Sequence, residues 1–293
     1  MWHLDPPELS ARDSWERCTL KSRGPKGTKG FGEKLRKAVG TAQTAADAFV
    51  TAARASTLHH LEPTALGLGD GIENKTITTI VYENGMVRVG TPGREIYDAL
   101  MDAPEDGLCP LCKHSEATQL DHVMPKAVHP ALCVAPQNLV PVCGICNHTK
   151  SDGTPEDADK VLLHPYYDHV DHETWLDAAI TPGSYGLLKY FVAAPPTWDS
   201  VLTARVQHHF EFLELGKRYS TRANGTLRGM RHHLTRQLDA IGPAGVQAYL
   251  NELADSHLAA DLNHWTGVAY RAWARDDAFC EGSFAEQPSP DSP

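Results

Sequence analysis

No stretch of the 293-residue chain approaches about 18 uninterrupted apolar residues, so no membrane-spanning helix is expected. The opening residues, MWHLDPPELS, carry an acid and two prolines where a secretory signal would carry an apolar run. Together these absences lead to the expectation of a cytoplasmic protein with no membrane partner. No internal repeat is visible. Surplus positive charge is also missing, with 27 Lys/Arg against 37 Asp/Glu and a formal net charge of -10. That argues against a protein held on a polyanion by bulk charge alone. Cysteine is sparse, at seven. The count is odd and four of the seven form two tight pairs, which in a reducing compartment favours metal over disulfides.

What is present is an ordinary globular composition, 41% hydrophobic and 22% charged, long enough to bury a core without external staples. The charge is uneven. Arg12 to Lys37 holds nine Lys/Arg against three Asp/Glu, and Thr203 to Arg236 holds seven against two. Two basic stretches in an acidic chain are either two halves of one phosphate-facing groove or solvated helix faces with acidic partners.

Along the chain, the Gly/Lys-rich run up to residue 30 reads as partly flexible. From Glu33 to Ser56, Leu35, Val39, Ala42, Ala46, Phe49 and Ala53 recur at helical spacing. GLGDG reads as a turn. Residues 76–89 read as a hairpin through Asn84-Gly85 or as a helix broken before Gly90. Arg94 to Ala103 reads as a short helix. LHPYYDHVDHETWL looks like a loop laid over a surface, and Leu187 to Ala193 like a strand. From Trp198 to Phe279 the pattern is mostly helical, broken near Gly242-Pro243. The expected architecture is α+β: a mainly helical scaffold around a central zinc-stapled module. Its parts are an N-terminal helical region with a basic arm (1–104), the module (105–160), a C-terminal mostly helical region (161–280) and a disordered tail (281–293).

The module is bracketed by CPLC, Cys109 to Cys112, and CGIC, Cys143 to Cys146, with 30 residues between Cys112 and Cys143. Four thiolates make a closed tetrahedral zinc site. The insert exceeds the ~15–20 residues of a simple four-cysteine ribbon. It is long enough for a hairpin. QLDHVMPK reads as a strand ending in Asp121-His122, PQNLVPVC as a second strand opened by Asn138, and CNHTKSD as the start of a helix. Asp121, His122 and Asn147 would then meet in one small cleft.

CPLC…LDHVMPK…NLVPVCGICNHTK resembles the HNH, or ββα-metal, nuclease family in its zinc-bearing form, over Cys109 to about Ser151. The resemblance implies phosphodiester hydrolysis, and double-stranded DNA is the expected substrate. It implies His122 as the general base, Asp121 as a ligand of a catalytic Mg²⁺ or Mn²⁺, and Asn138 as the residue that steadies the histidine loop. Asn147 falls where many members carry a final histidine, with His148 beside it as the other candidate. The residue chemistry agrees. Imidazole titrates near neutrality, and a hard dication prefers the oxygens of Asp121 and Asn147 to sulfur. Lys126, His148 and Lys150 are candidate phosphate contacts, and a helix starting near Asn147 would turn its positive end toward the phosphate. The layout is similar to stand-alone bacterial members, some of which work beside ATPases in anti-phage defence. A partner ATPase or a homo-oligomer would offset the acidic balance. The competing readings are a non-catalytic zinc-binding interaction module and an RNA-directed nuclease, since both nucleic acids offer the same phosphate chemistry.

Overall fold

A computed structural model describes residues 3–25, 28, 30–68 and 72–285. The chain divides into two compact units, Met1–His169 and Val170–Pro293. It is a mixed helix-and-sheet protein with two separate two-stranded antiparallel sheets. Among the described residues no helix is long and apolar enough to cross a membrane.

The first unit opens with α1 (Ala11–Thr19), capped by Ser10, whose hydroxyl accepts from the Asp13 N–H. α1 precedes the Gly/Lys-rich part of the basic arm. Trp15 is fully buried, and its indole N–H donates to the Leu35 carbonyl at 2.8 Å. Lys26, Gly27 and Lys29 of that arm lie outside the described residues, as do residues 69–71 of the GLGDG turn. The periodic stretch after it forms α2 (Phe31–Lys37) and α3 (Val39–Arg54), which bury Leu35, Ala42, Ala46, Phe49 and Ala53.

Residues 76–89 do not form a hairpin. They continue α4 (Asn74–Thr78) into a π-helical segment, Thr79–Val87, closed by an i→i+5 bond from the Arg88 N–H to the Glu83 carbonyl. Asn84-Gly85 favours a hairpin locally, but Gly85 serves close approach instead. A Cβ there would collide with the Cys18 carbonyl of α1. The wide turn leads to α5 (Arg94–Met101).

The central block is strand, loop, strand, helix. β1 (Gln119–His122) pairs antiparallel with β2 (Leu139–Val142), setting Asp121 opposite Val140 and His122 opposite Leu139. α6 (Gly144–Lys150) follows directly. Leu120, Met124, Leu132 and Leu139 share one core with Trp15, Leu35 and Phe49, and the Ser14 hydroxyl donates to the Val134 carbonyl at 2.6 Å. The HPYYD segment is a packed loop. His164 and Tyr166 are buried, and the Tyr166 hydroxyl donates to the Leu139 carbonyl of β2 at 2.8 Å.

The second unit pairs β3 (Leu176–Ile180) with β4 (Leu188–Val192) and continues through α7 (Ser200–Phe212), α8 (Leu215–Ala260), α9 (Trp265–Ala274) and α10 (Asp277–Cys280). α8 breaks at Gly242, φ 68°, where Pro243 follows. Asn263 ties the hairpin to the loop before α9, accepting from the Trp175 and Leu176 N–H groups at 2.8 and 3.0 Å. The tail expectation needs correction up to Ala285, because Phe284 is buried against Phe279. Residues 286–293 of that tail lie outside the described residues.

Candidate functional site

All four paired cysteines converge. The sulfurs of Cys109, Cys112, Cys143 and Cys146 lie within 4.8 Å of one another, and all four residues are buried. Such a set can hold a structural zinc ion through four soft ligands. Crowded thiols resist losing their protons together, so the Cys109 thiol is pushed up by its neighbours, Cys112 first. Cys143 is the one the others favour as thiolate, through the Cys109 contact above all. Cys143 is also the N-cap of α6, its sulfur accepting from the Cys146 N–H at 3.4 Å. The helix starts at Gly144, two residues before the CNHTKSD start expected, with the cysteine pair at its N-terminal end as expected.

Asp121 and His122 end β1 on the other side of the module's business. Asp121 is only 8% exposed. Burial pushes its carboxyl up from the ordinary range, while the Lys150 ammonium, 3.2 Å from Oδ2, pulls it back. Lys150 also donates to the His122 carbonyl at 2.6 Å. This lysine is thus engaged with the site's own carboxylate.

His122 is buried, with Nε2 2.9 Å from the Cys133 carbonyl. A carbonyl only accepts, so Nε2 carries the hydrogen and the neutral ring presents Nδ1 as an unprotonated acceptor. The Tyr82 ring meets the imidazole edge-on at 4.5 Å. Burial pushes the imidazole pKa down to about 3, well below the near-neutral titration expected from the sequence.

Asn138 is fully buried. Its Oδ1 accepts from the Met124 N–H at 2.7 Å, and Nδ2 donates to the Met124 and Leu132 carbonyls at 3.1 and 3.3 Å. The side chain clamps the loop that leaves His122. Tertiary contact thus fits the steadying role better than an isolated Asx turn would.

Asp121, His122, Lys126 and Asn147 line one cleft of about 410 Å³, with Tyr82 and Tyr97 among its walls. His148 does not line it and is exposed. The Lys126 ammonium lies 4.6 Å from the Tyr82 ring centre and 3.5 Å from Glu83 Oε1.

The chain resembles a phage protein. Over 239 residues, 76% of this chain and 79% of the relative, it is 29% identical to Protein ea31 of Escherichia phage lambda. No protein-family model matches the chain, and no solved structure matches it. Roles at the cleft therefore rest on its own geometry and chemistry.

Sequence reasoning missed three contributors to that cleft: Tyr82, Tyr97 and Asp152. Asp152 was findable, since it follows the KS of the motif directly, and its charge adds to the upward push on Asp121. Tyr82 carried no such signal. The β-branched run before it suggested a strand, and only the π turn aims it at His122.

Proposed function

We propose that the protein is a metal-dependent endonuclease of the HNH type, hydrolysing phosphodiester bonds in double-stranded DNA. One juxtaposition carries the reading. β1–β2 pairing sets the Asp121 carboxylate and the His122 imidazole on one cleft with Asn147, beside a separate four-sulfur corner. The donors suit two different metals. Sulfur suits zinc, and the Asp121 and Asn147 oxygens suit Mg²⁺ or Mn²⁺. A dication held by those oxygens would supply Lewis-acid stabilisation of charge developing on the phosphate.

The chain's own groups do the rest. Nδ1 of His122 takes the proton of an attacking water, while the Cys133 carbonyl holds the ring in that tautomer. Burial keeps the ring neutral at pH 7, the form a base requires, and an incoming phosphate anion raises its basicity. Asn138 keeps the loop after His122 in place. Lys126 stands at the cleft as a cation for phosphate oxygens. The Lys150 ammonium balances Asp121, so a dication at that carboxylate competes with it.

That same ion pair favours one second reading, a non-catalytic zinc-framed binding module in which Asp121 is a structural partner of Lys150. A cleavage assay separates the two. Supercoiled DNA, linear DNA and RNA are incubated with Mg²⁺ or Mn²⁺ and either the wild-type protein or His122→Ala. The nuclease reading expects divalent-dependent cutting of DNA that the variant loses while keeping its zinc. Absence of cutting on every substrate, or equal cutting by His122→Ala, sinks it. Cutting confined to RNA reassigns the substrate.

A further inference from the structure

The first basic stretch is threaded with acids: Arg12 lies 4.0 Å from Glu16, Arg17 3.9 Å from Glu95, and Lys37 2.8 Å from Glu33. Three of its nine cations are thus paired with acids. The second stretch differs. From Leu215 to Leu238, α8 contains no Asp or Glu. Its buried residues, Leu215, Tyr219, Ala223, Leu227 and Leu234, lie on one side. At 3.6 residues per turn, Arg222, Arg228, His232 and Arg236 fall on the opposite side, within an arc of about 120°. All four are exposed. Arg228 and Arg236 have no ion-pair partner among the described residues. Arg222 to Arg236 spans roughly 21 Å of helix axis.

Two glycines sit on this face. A Cβ added to Gly225 or Gly229 would meet nothing within 4 Å. Apart from proline, glycine is the poorest helix former, and neither residue has a positive φ or a packing neighbour to require it. Glycines in open space on an arginine-lined face leave the helix backbone accessible to a partner. No large exposed apolar residue lies between 217 and 236, although protein interfaces draw on such residues at their centres. Arginine's planar fork matches phosphate oxygens.

We propose that this face of α8 is a binding surface for the phosphate backbone of nucleic acid, with Arg222, Arg228 and Arg236 as phosphate contacts and Gly225 and Gly229 at the point of closest approach. The choice of nucleic acid among polyanions rests on the proposed function; the surface itself does not. In a chain of net charge -10, a concentrated cationic face also orients the encounter.

The test uses the full chain, without added divalent ion, and anisotropy of labelled 30-base-pair DNA, single-stranded DNA and RNA. The triple variant Arg222→Gln/Arg228→Gln/Arg236→Gln should weaken binding at least tenfold. It should also flatten the slope of log K against log salt by about 2.7 for duplex DNA. Arg12→Gln/Lys37→Gln should change little. Gly225→Ala/Gly229→Ala should raise the melting temperature yet weaken binding several-fold, a pairing that a purely structural role does not produce. Circular dichroism checks the fold of each variant. Equal affinity and an equal salt slope for wild type and triple variant overturn the proposal. So does a triple variant that binds normally but loses self-association on sedimentation, which would assign the face to an acidic copy of the chain. The two proposals fail separately: binding through α8 without cutting removes only the nuclease reading, and cutting with an indifferent α8 removes only this one.

Discussion

Two sites a few residues apart in the first unit are built on opposite principles. At one corner four sulfurs crowd within 4.8 Å, buried and closed. In the neighbouring cleft of about 410 Å³, the Asp121 carboxylate, the His122 imidazole and Lys126 share space with access from outside. A zinc ion held by all four sulfurs would have no open position for a reacting group. The cleft holds its charges part-buried and part-compensated, as the Asp121–Lys150 pair shows. Four sulfurs suit a structural zinc ion, whereas the oxygen-bearing cleft suits the harder dication of the proposed function.

The sharpest break of that comparison is Cys143→Ser. Zinc per protein should fall from about one to none, and the first unit should lose its cooperative unfolding. Structural zinc contributes an apparent ~10–16 kcal/mol in small zinc modules. Metal analysis with urea unfolding checks both, and a variant that keeps its stability would make the sulfur corner something other than a frame.

His122→Ala should act on the other side alone. Cleavage should fall by about 10²–10⁴-fold while zinc content and fold persist. If zinc is lost with the activity, frame and cleft are not separable.

Asn138→Ala lies between them. It removes three buried hydrogen bonds and strands an N–H and a carbonyl of the loop. A cost of about 3 kcal/mol is expected from urea midpoints, with zinc retained and cleavage reduced. A loss below the error of the measurement would show that the clamp is dispensable.

The smallest expected effect is in pH. Below about 6.5 the unfolded chain protonates His122, whereas the buried folded ring resists until about 3. Acid therefore withdraws stability across that window, by roughly 2 kcal/mol at pH 5. Comparing unfolding at pH 7 and 5 for wild type and His122→Gln isolates it; identical pH dependence would mean that the ring is not held neutral by burial.

Much of the site was legible because its signals are local. The two Cys-x-x-Cys pairs, the Asp-His ending of β1 and the Asn138 opening of β2 are short-range patterns, and the strand pairing follows from the length of the insert between them. The same holds for the helical repeat through Leu35 and Phe49 and for the break at Gly242-Pro243. At 76–89 the sequence left a hairpin and a helix broken before Gly90 both open, and close approach of Gly85 to α1 accompanies the helix that forms. HPYYD was legible as a loop, but not that Tyr166 finds its partner on β2, 27 residues earlier. The start of α6 was misplaced because Cys143 serves both as sulfur ligand candidate and as helix cap.

By itself, then, the sequence determined the four-cysteine set and the Asp121, His122 and Asn147 of the cleft, since these depend on residue type and short spacing. Only the tertiary structure decided their states. The Cys133 carbonyl selects the imidazole tautomer, Lys150 meets Asp121 from 28 residues beyond the end of β1, and a π turn brings Tyr82 against His122. Each of these is a contact between segments distant in the chain, settled by which groups share a buried space, and no local spacing encodes it.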